Sequence, residues 1–408
     1  NNKHRIIKTI DYPNSLGKVY EAITFFLGFN PFTSAGTVMA LAALGNYNKK
    51  LNGKQTYYNI FKKIIKKDAT DIYKVDDTWF NYPFTRKGWV SEKFLKIFGK
   101  PRSRKSASYS DHHKNIASAL QKRFEEIYLE IIKYGKKKTK LNYLTLSGGC
   151  ALNCKANGEI NNLKFKQVYI QPASGDAGLS IGAAKLGYET ISKNKKFSNK
   201  HHDTSYFGTN CSNSEIRKYA KKLNVKYKKL KNPEKVAAQL IFKKKVIGWV
   251  HGRSELGPRA LGNRSILACP NSIEIKNRIN KKIKKRQMFR PFAPSVLKED
   301  FKKYYKSKYD SAFMLMALKT NKKYLSNIKG TIHYDDTARV QTVTKKTNNK
   351  YYNLISEYKK LSGIPILLNT SFNGKDVPIV NNAEDAIKEF KKIKLDALFI
   401  ENYLITLR

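Results

Sequence analysis

The stretch LNYLTLSGGCALNCKANGEINNLKFKQVYIQPASGDAGLSIGAAKLG, residues 141–187, decides the fold class. Its apolar run at 141–146 predicts a strand that ends at a Ser-Gly-Gly turn, and a helix-compatible segment follows. A second strand, QVYIQP, leads through ASGDAG into a helix of small residues. An amphipathic helix at 111–134, with Asp111 near its start, precedes the stretch. Helices that alternate with strands, with glycine turns at the strand C-termini, predict an α/β fold.

The same alternation resumes after a segment without apolar periodicity at 194–214, which we interpret as a linker. The predicted helices lie at 215–223, 233–243, 272–285, 351–361 and 383–393, and the predicted strands lie at 246–250, 266–268, 292–297, 313–318, 339–344 and 364–371. A strand or hairpin is expected at the end. This pattern predicts a second α/β domain, with a mixed sheet covered by helices.

Composition supports a folded protein of two ordinary domains. The 408 residues are 41% apolar and 12% aromatic, which is enough for two cores. The sequence contains no long uncharged apolar window and no basic stretch followed by an apolar one, so we expect neither a membrane span nor a signal peptide. Four scattered cysteines do not suggest a disulfide framework. We therefore expect a cytoplasmic protein.

The formal charge of +49 would suit a nucleic acid or an acidic membrane as partner. The excess is lysine, however, and it accompanies abundant Asn, Ile, Tyr and Phe, all of which AT-rich codons favour. The lysines are also spread over several predicted helices, with no basic stripe interleaved with aromatic residues. These observations argue against nucleic-acid binding as the main function.

Arginine is distributed differently from lysine. Only 14 of the 80 basic residues are arginine, and half of those lie between Arg253 and Arg339. Arginine offers a rigid, bidentate fork to phosphate and carboxylate oxygens, which lysine cannot do. The cluster therefore predicts a pocket for a phosphorylated substrate, such as a nucleotide.

Seven motifs, spread in order over nearly the whole chain, carry a resemblance to a known family. They are SLGKVYEAIT, GGCALNCKANGEI, PASGDAGLSIGAA, GWVHGRSELGPRALGNRSIL, IKKRQMFRPFAPSVL, HYDDTARVQTV and NTSFNGKDVPIV. The chain resembles the O-carbamoyltransferases of antibiotic and nodulation-factor biosynthesis, the NodU/CmcH type. The resemblance implies a partial actin-like (ASKHA) carbamoyl-transfer domain at 1–195. It also implies a YrdC-like α/β domain at 205–408, which forms carbamoyl-adenylate from carbamoyl phosphate and ATP.

The resemblance also assigns site residues. Arg259, Arg264, Lys284 and Arg339 match positions that contact carbamoyl phosphate and the ATP phosphates, and we expect them to be catalytic. Further contacts to substrate or nucleotide are expected from Gly148, Gly149, Asn153, Gly257, Arg286, His333 and Lys375. The physical reason is that the reaction brings several phosphate charges together, so cations must offset their repulsion. The alternative is that these arginines form structural ion pairs.

Asp176 matches a family position that holds a carboxylate ligand of a divalent metal, typically iron. The alternative is a helix N-cap, since the residues after Asp176 favour a helix. The family also has two histidines spaced four apart on a helix, and this sequence has no such pair. With Asp176 as its single family ligand, we expect the chain to bind metal poorly.

The adenylating half therefore matches the family better than the transfer half. Departures include Ala35 and Thr37 in place of charged residues, Gln287 in place of Glu, and Asp336 in place of Gly. The sequence predicts an ATP-dependent carbamoyltransferase that acts on a hydroxyl of a small molecule or sugar. Two alternatives stay open, namely a non-catalytic nucleotide-binding module of the actin-like superfamily and an RNA-directed carbamoyltransferase.

Overall fold

The structure, a computed structural model, describes residues 5–85, 88–106, 108–192 and 204–407. Residues 194–203 of the linker predicted at 194–214 lie outside the described residues, while 204–212 form a described segment without helix or strand and helix begins at Asn213. The chain forms two compact units. The first runs to Thr145 and includes Lys155–Tyr169, and the second comprises Leu146–Cys154 and the described residues from Ile170 onward. The predicted domains, 1–195 and 205–408, stay a prediction.

The first unit is mainly helical. In chain order, its elements and those at the border of the second unit are α1 (Leu16–Phe26), α2 (Ala35–Ala42), β1 (Lys50–Leu51), β2 (Gln55–Thr56), α3 (Tyr57–Ile64), β3 (Ile65–Asp68), β4 (Ile72–Val75), α4 (Glu92–Phe98), α5 (Asp111–Thr139), β5 (Tyr143–Leu146), α6 (Cys154–Glu159) and β6 (Gln167–Ile170). The strands form two-stranded sheets, with β1 beside β2, β3 beside β4, and β5 beside β6.

Helix α5 is the centre of the first unit, and α1, α2 and α3 all contact it. Its residues Ile116, Leu120, Phe124 and Ile127 are buried, as expected for one face of an amphipathic helix. The helix predicted at 111–134 is confirmed, and it continues through Gly135 to Thr139, after which Lys140 has a left-handed backbone.

The second unit is a true α/β structure. Its further elements are α7 (Leu179–Ile191), α8 (Asn213–Lys222), β7 (Lys226–Lys229), α9 (Pro233–Phe242), β8 (Ile247–Val250), β9 (Arg264–Ala268), α10 (Ile273–Arg278), β10 (Ala293–Leu297), α11 (Phe301–Tyr304), β11 (Tyr305–Lys306), β12 (Ala317–Thr320), α12 (Leu325–Ile328), β13 (Thr337–Arg339), β14 (Gln341–Val343), α13 (Asn349–Ser362), β15 (Ile366–Ser371), α14 (Ala383–Ile393), β16 (Ala397–Ile400) and β17 (Tyr403–Thr406).

An eight-stranded sheet organises this unit, in the order β14-β10-β15-β9-β8-β16-β17-β7. The pairs β10–β14 and β8–β16 are parallel, while the other neighbours are antiparallel. Strands β8, β9, β10 and β16 are buried at every position, so both faces of the sheet are covered. Helix α9 packs on α13, and α8 packs on α14. The predicted α/β class with a mixed sheet is confirmed, while its actin-like and YrdC-like character stays a prediction.

Local backbone changes account for the differences from the predicted elements. The strand expected at 313–318 begins only at Ala317, because Met314 has a left-handed backbone with φ of 55°. The helix expected at 272–285 is α10 followed by a π-helical turn, Ile279–Ile283. Among the described residues, no helix is both long and apolar enough to cross a membrane.

Candidate active site

A long loop joins the antiparallel neighbours β8 and β9 and carries the motif GRSELGPRALGNR, residues 252–264. Two of its glycines are required by its path. Gly257 and Gly262 have φ of +103° and +102°. A Cβ on Gly257 would lie 2.7 Å from the carbonyl oxygen of Pro172, and one on Gly262 would overlap the ring of Tyr351. Neither position accepts a side chain, because the backbone of the loop packs closely against other residues at both glycines.

Arg264 lies at the end of this loop and is completely buried. Its Nε donates to the carbonyl oxygen of Asn381 at 3.0 Å, and Nη2 donates to that of Thr209 at 2.8 Å. Nη1 donates to the carbonyl oxygens of Gly252 and Asn263, both at 2.9 Å. Through these bonds Arg264 holds the β8–β9 loop against the segments that contain Thr209 and Asn381. Its predicted contact with phosphate finds no support in this position and stays a prediction.

Arg259 and Arg339 are arranged differently. Their Nε atoms are closed to solvent and have no hydrogen-bond partner among the residues that the structure describes. Burial lowers the pKa of Arg259, and the neighbouring Arg339 guanidinium lowers it further. Burial also lowers the pKa of Arg339. No carboxylate among the described residues forms an ion pair with either side chain. Two half-buried guanidinium groups without a counter-charge form an incomplete arrangement that an anion would complete.

Lys284 is buried beside the end of β15. Its Nζ donates to the carbonyl oxygens of Ser371 and Asn373 at 2.6 and 2.8 Å. It also lies 2.7 Å from Asn373 Oδ1 and 3.2 Å from Ser371 Oγ. Burial, together with Arg286 and Arg290, holds the pKa of Lys284 well below its usual value. The ammonium group is thus fixed in place by neutral oxygens, without direct charge neutralisation.

Arg286 is a further cation of this site. Its Nε donates to Asn280 Oδ1 at 2.8 Å, and its guanidinium carbon lies 4.6 Å from the ring centroid of Phe292. Burial, Arg290 and Arg339 lower the pKa of Arg286. Arg290 also lowers the pKa of Arg259 and Lys284. We call the group Arg259, Lys284, Arg286, Arg290 and Arg339 the cationic cluster.

The turn after β5 ends close to Cys154, which lies near Arg259 and Arg339. Gly148 and Gly149 begin it, and a Cβ on either would meet no atom within 4 Å, so both face open space. Asn153 is buried near its end. The next residue, Cys154, lies close enough to Arg259 for its thiol to raise the pKa of the guanidinium. The structure therefore places Cys154 near Arg259 and Arg339, and roles for Gly148, Gly149 and Asn153 in binding stay predictions.

Two other predicted residues lie in more open positions. Lys375 is exposed on the surface, with its Nζ 3.8 Å from Asp376. His333 lines a cleft of about 420 Å³, and its Nδ1 lies 3.1 Å from Thr337 Oγ1. The tautomer of His333 determines which of these two groups donates. Roles for Lys375 and His333 in nucleotide binding stay predictions.

The described residues do not form a metal site. Asp176 is exposed in a short turn before α7, and it does not cap that helix, whose N-cap is Gly178. In the part of the chain that the structure describes, no three His, Cys, Asp or Glu side chains come together as ligands. This donor set does not fit a tightly bound divalent ion. Metal ligation by Asp176 stays a prediction.

Sequence reasoning missed some residues that the structure adds to the site. Ser371 and Asn373 hold Lys284, and a polar Ser-x-Asn pattern directly after the apolar strand is the signal that could have revealed them. Residue type alone does not distinguish Arg290 from the neighbouring arginines. Glu255 binds the backbone of the β8–β9 loop, and no local pattern indicates such a contact.

Two family models match most of the chain. The family model described as carbamoyltransferase N-terminus matches residues 1–185. The one described as carbamoyltransferase C-terminus matches residues 238–407 and so covers the cationic cluster.

Three relatives illustrate the similarity. The nodulation protein NolO of Bradyrhizobium diazoefficiens is 33% identical over 99% of this chain and 71% of its own length. The nodulation protein NolNO of Sinorhizobium fredii is 32% identical over 98% of this chain and 57% of its own length. The 3'-hydroxymethylcephem-O-carbamoyltransferase of Streptomyces clavuligerus is 26% identical over 96% of this chain and 70% of its own length. The chain thus spans between 57% and 71% of these relatives.

Proposed function

The chain belongs to the carbamoyltransferase family, enzymes that transfer carbamoyl groups, and on this premise we propose an ATP-dependent O-carbamoyltransferase. In this proposal, the cationic cluster binds carbamoyl phosphate and ATP and forms carbamoyl-adenylate. The carbamoyl group then passes to a hydroxyl of a small molecule or sugar. The observation that carries the proposal is the pair Arg259 and Arg339, whose Nε atoms are buried without a partner.

Bringing two phosphorylated substrates together in one site costs electrostatic free energy. Their like charges repel, and in a site closed to water this repulsion is screened weakly. Guanidinium groups that are already positioned and unpaired can bind phosphate oxygens without first breaking an ion pair. Arg259 and Arg339 meet this condition, since no described carboxylate pairs with them.

The proposed reaction has three steps. Water attacks carbamoyl phosphate, the bond to the phosphate group breaks, and carbamate and inorganic phosphate form. A carbamate oxygen then attacks the α-phosphorus of ATP, the bond to the β-phosphate breaks, and pyrophosphate leaves. In the last step the acceptor hydroxyl attacks the carbamoyl carbon, loses its proton and displaces AMP. Within these steps the cationic cluster binds and orients phosphate oxygens and stabilises the charge on the departing groups.

The test measures pyrophosphate and phosphate release from the purified chain with ATP and carbamoyl phosphate. We expect release that requires both substrates and that falls at least about tenfold in Arg259→Ala, the loss of one charge-assisted contact of about 1.5–3 kcal/mol. Arg217→Ala is the matched control, because Arg217 is exposed and donates to the Tyr403 hydroxyl. A folded protein that binds ATP but releases no pyrophosphate would favour the non-catalytic nucleotide-binding module.

The RNA-directed alternative has its own test. A gel-shift assay with tRNA at increasing salt separates specific binding from general attraction by the charge of +49. Binding that falls steeply with salt and does not depend on the RNA sequence would reflect charge alone.

A further inference from the structure

We propose that Glu255 is a positioning residue that holds the β8–β9 loop so that Arg259 stays in the cationic cluster. This inference rests on the proposed function and deepens it, because it names what keeps the anion site assembled. Glu255 is not expected to touch the substrate. It acts through the backbone of the loop that carries Arg259.

The contacts of Glu255 close the loop on itself. Its Oε1 accepts hydrogen bonds from the backbone N–H groups of Leu261 at 2.7 Å and Asn263 at 2.8 Å. A third, longer bond comes from the N–H of Arg264 at 3.3 Å. These donors lie six, eight and nine residues further along the chain. One carboxylate oxygen therefore ties the start of the loop to its end, and Arg259 lies in between.

The anchor is strongest when Glu255 is ionised. Hydrogen bonds to an ionised acceptor are stronger than those between neutral groups. Burial raises the pKa of the Glu255 carboxyl, while the N–H groups of Asn263 and Leu261 and the charge of Arg264 act in the opposite direction. The carboxylate also lies near the completely buried Arg264, so it offsets part of that charge.

An anchor is needed because the ligand-free cluster repels itself. Arg259 lies beside Arg339 and Arg290, which both disfavour its charge, and its Nε has no partner that would hold it there. Without an anchor, the loop would relieve this repulsion by moving Arg259 towards water. Glu255 therefore keeps the site ready for an anion before the anion arrives, which is the condition for a preorganised site.

The experiment compares Glu255→Ala and Glu255→Gln with the wild type. Glutamine keeps an oxygen acceptor but removes the charge, so its effect should be intermediate. Glu234→Gln is the control, because Glu234 is also buried and charged but pairs with Lys350 at 2.8 Å. Hydrogen exchange of the peptide at 253–264 reports the loop directly, and calorimetry with inorganic phosphate reports the anion site.

We expect faster exchange in this peptide in Glu255→Ala, with other peptides of the second unit unchanged. Phosphate affinity should fall about tenfold, equivalent to about 1.4 kcal/mol, and the KM for carbamoyl phosphate should rise more than kcat falls. Unchanged exchange, or faster exchange with unchanged phosphate affinity, would overturn the proposal. If Glu255→Ala does not fold, the same criteria apply to Glu255→Gln. Exchange and phosphate binding can be measured even if the wild type releases no pyrophosphate, so failure of the proposed function is a separate result.

Discussion

Replacement by methionine should change the stability of the protein in opposite directions at Arg259 and at Arg264, which lie five positions apart in one motif. Replacing Arg259 by methionine keeps much of the side-chain volume. It removes a guanidinium group whose Nε is buried without a hydrogen-bond partner among the described residues. An unsatisfied buried polar group costs about 1–3 kcal/mol. We therefore expect Arg259→Met to raise the free energy of unfolding of the ligand-free protein by about 1–3 kcal/mol.

Arg264→Met should do the reverse. It removes the donor from the carbonyl oxygens of Thr209, Gly252, Asn263 and Asn381, all of which Arg264 binds at 3.0 Å or less. Removing one partner of a buried charged interaction typically costs about 3–5 kcal/mol of stability. We therefore expect the free energy of unfolding to fall by at least about 3 kcal/mol.

Urea unfolding followed by circular dichroism, with and without ATP and carbamoyl phosphate, measures both effects. Arg259→Met should also lose the extra stability that these ligands give the wild type, because a ligand stabilises only the state that binds it. The reasoning would be refuted if Arg259→Met were less stable than the wild type and still gained stability from the ligands. A thermal measurement gives a second estimate, since 1 kcal/mol shifts Tm by about 2–4 °C in a unit of about 150–250 residues.

Lys284→Met should remove a dependence of stability on pH. The pKa of Lys284 is lowered in the folded state, so the buried ammonium destabilises the folded protein fully below that pKa. This destabilisation decreases as pH rises towards 10.5. The stability of the wild type relative to Lys284→Met should therefore increase from neutral pH towards pH 10, and urea midpoints that keep a constant difference would contradict this. Gly262→Ala should destabilise the protein by more than about 2 kcal/mol, because its backbone is left-handed and the new Cβ would overlap Tyr351. Gly187→Ala in α7 is its control, since a Cβ there meets no atom within 4 Å, and it should stabilise the helix by about 0.5–1 kcal/mol in thermal unfolding.

Periodicity in the sequence was sufficient for much of the fold. The helix predicted at 383–393 has the bounds of α14, and the strand predicted at 292–297 differs from β10 by one residue. Helices and strands of this kind depend on the spacing of apolar residues along a short segment, which can be read locally. The order of strands in the large sheet depends on pairing between distant segments, and local spacing carries no information about it.

The amino-acid sequence alone predicts an α/β protein with an unusual concentration of arginine in its C-terminal half. Residue type and spacing are sufficient for both conclusions. The fold leaves Arg259 without a counter-charge among the described residues, whereas it surrounds Arg264 with hydrogen-bond acceptors. The partners of Arg264 include Thr209 and Asn381, which lie 55 and 117 positions away in the chain. Whether a guanidinium is free to bind phosphate depends on which distant carbonyl oxygens the fold brings to it, and this is a property of packing, absent from the local motif.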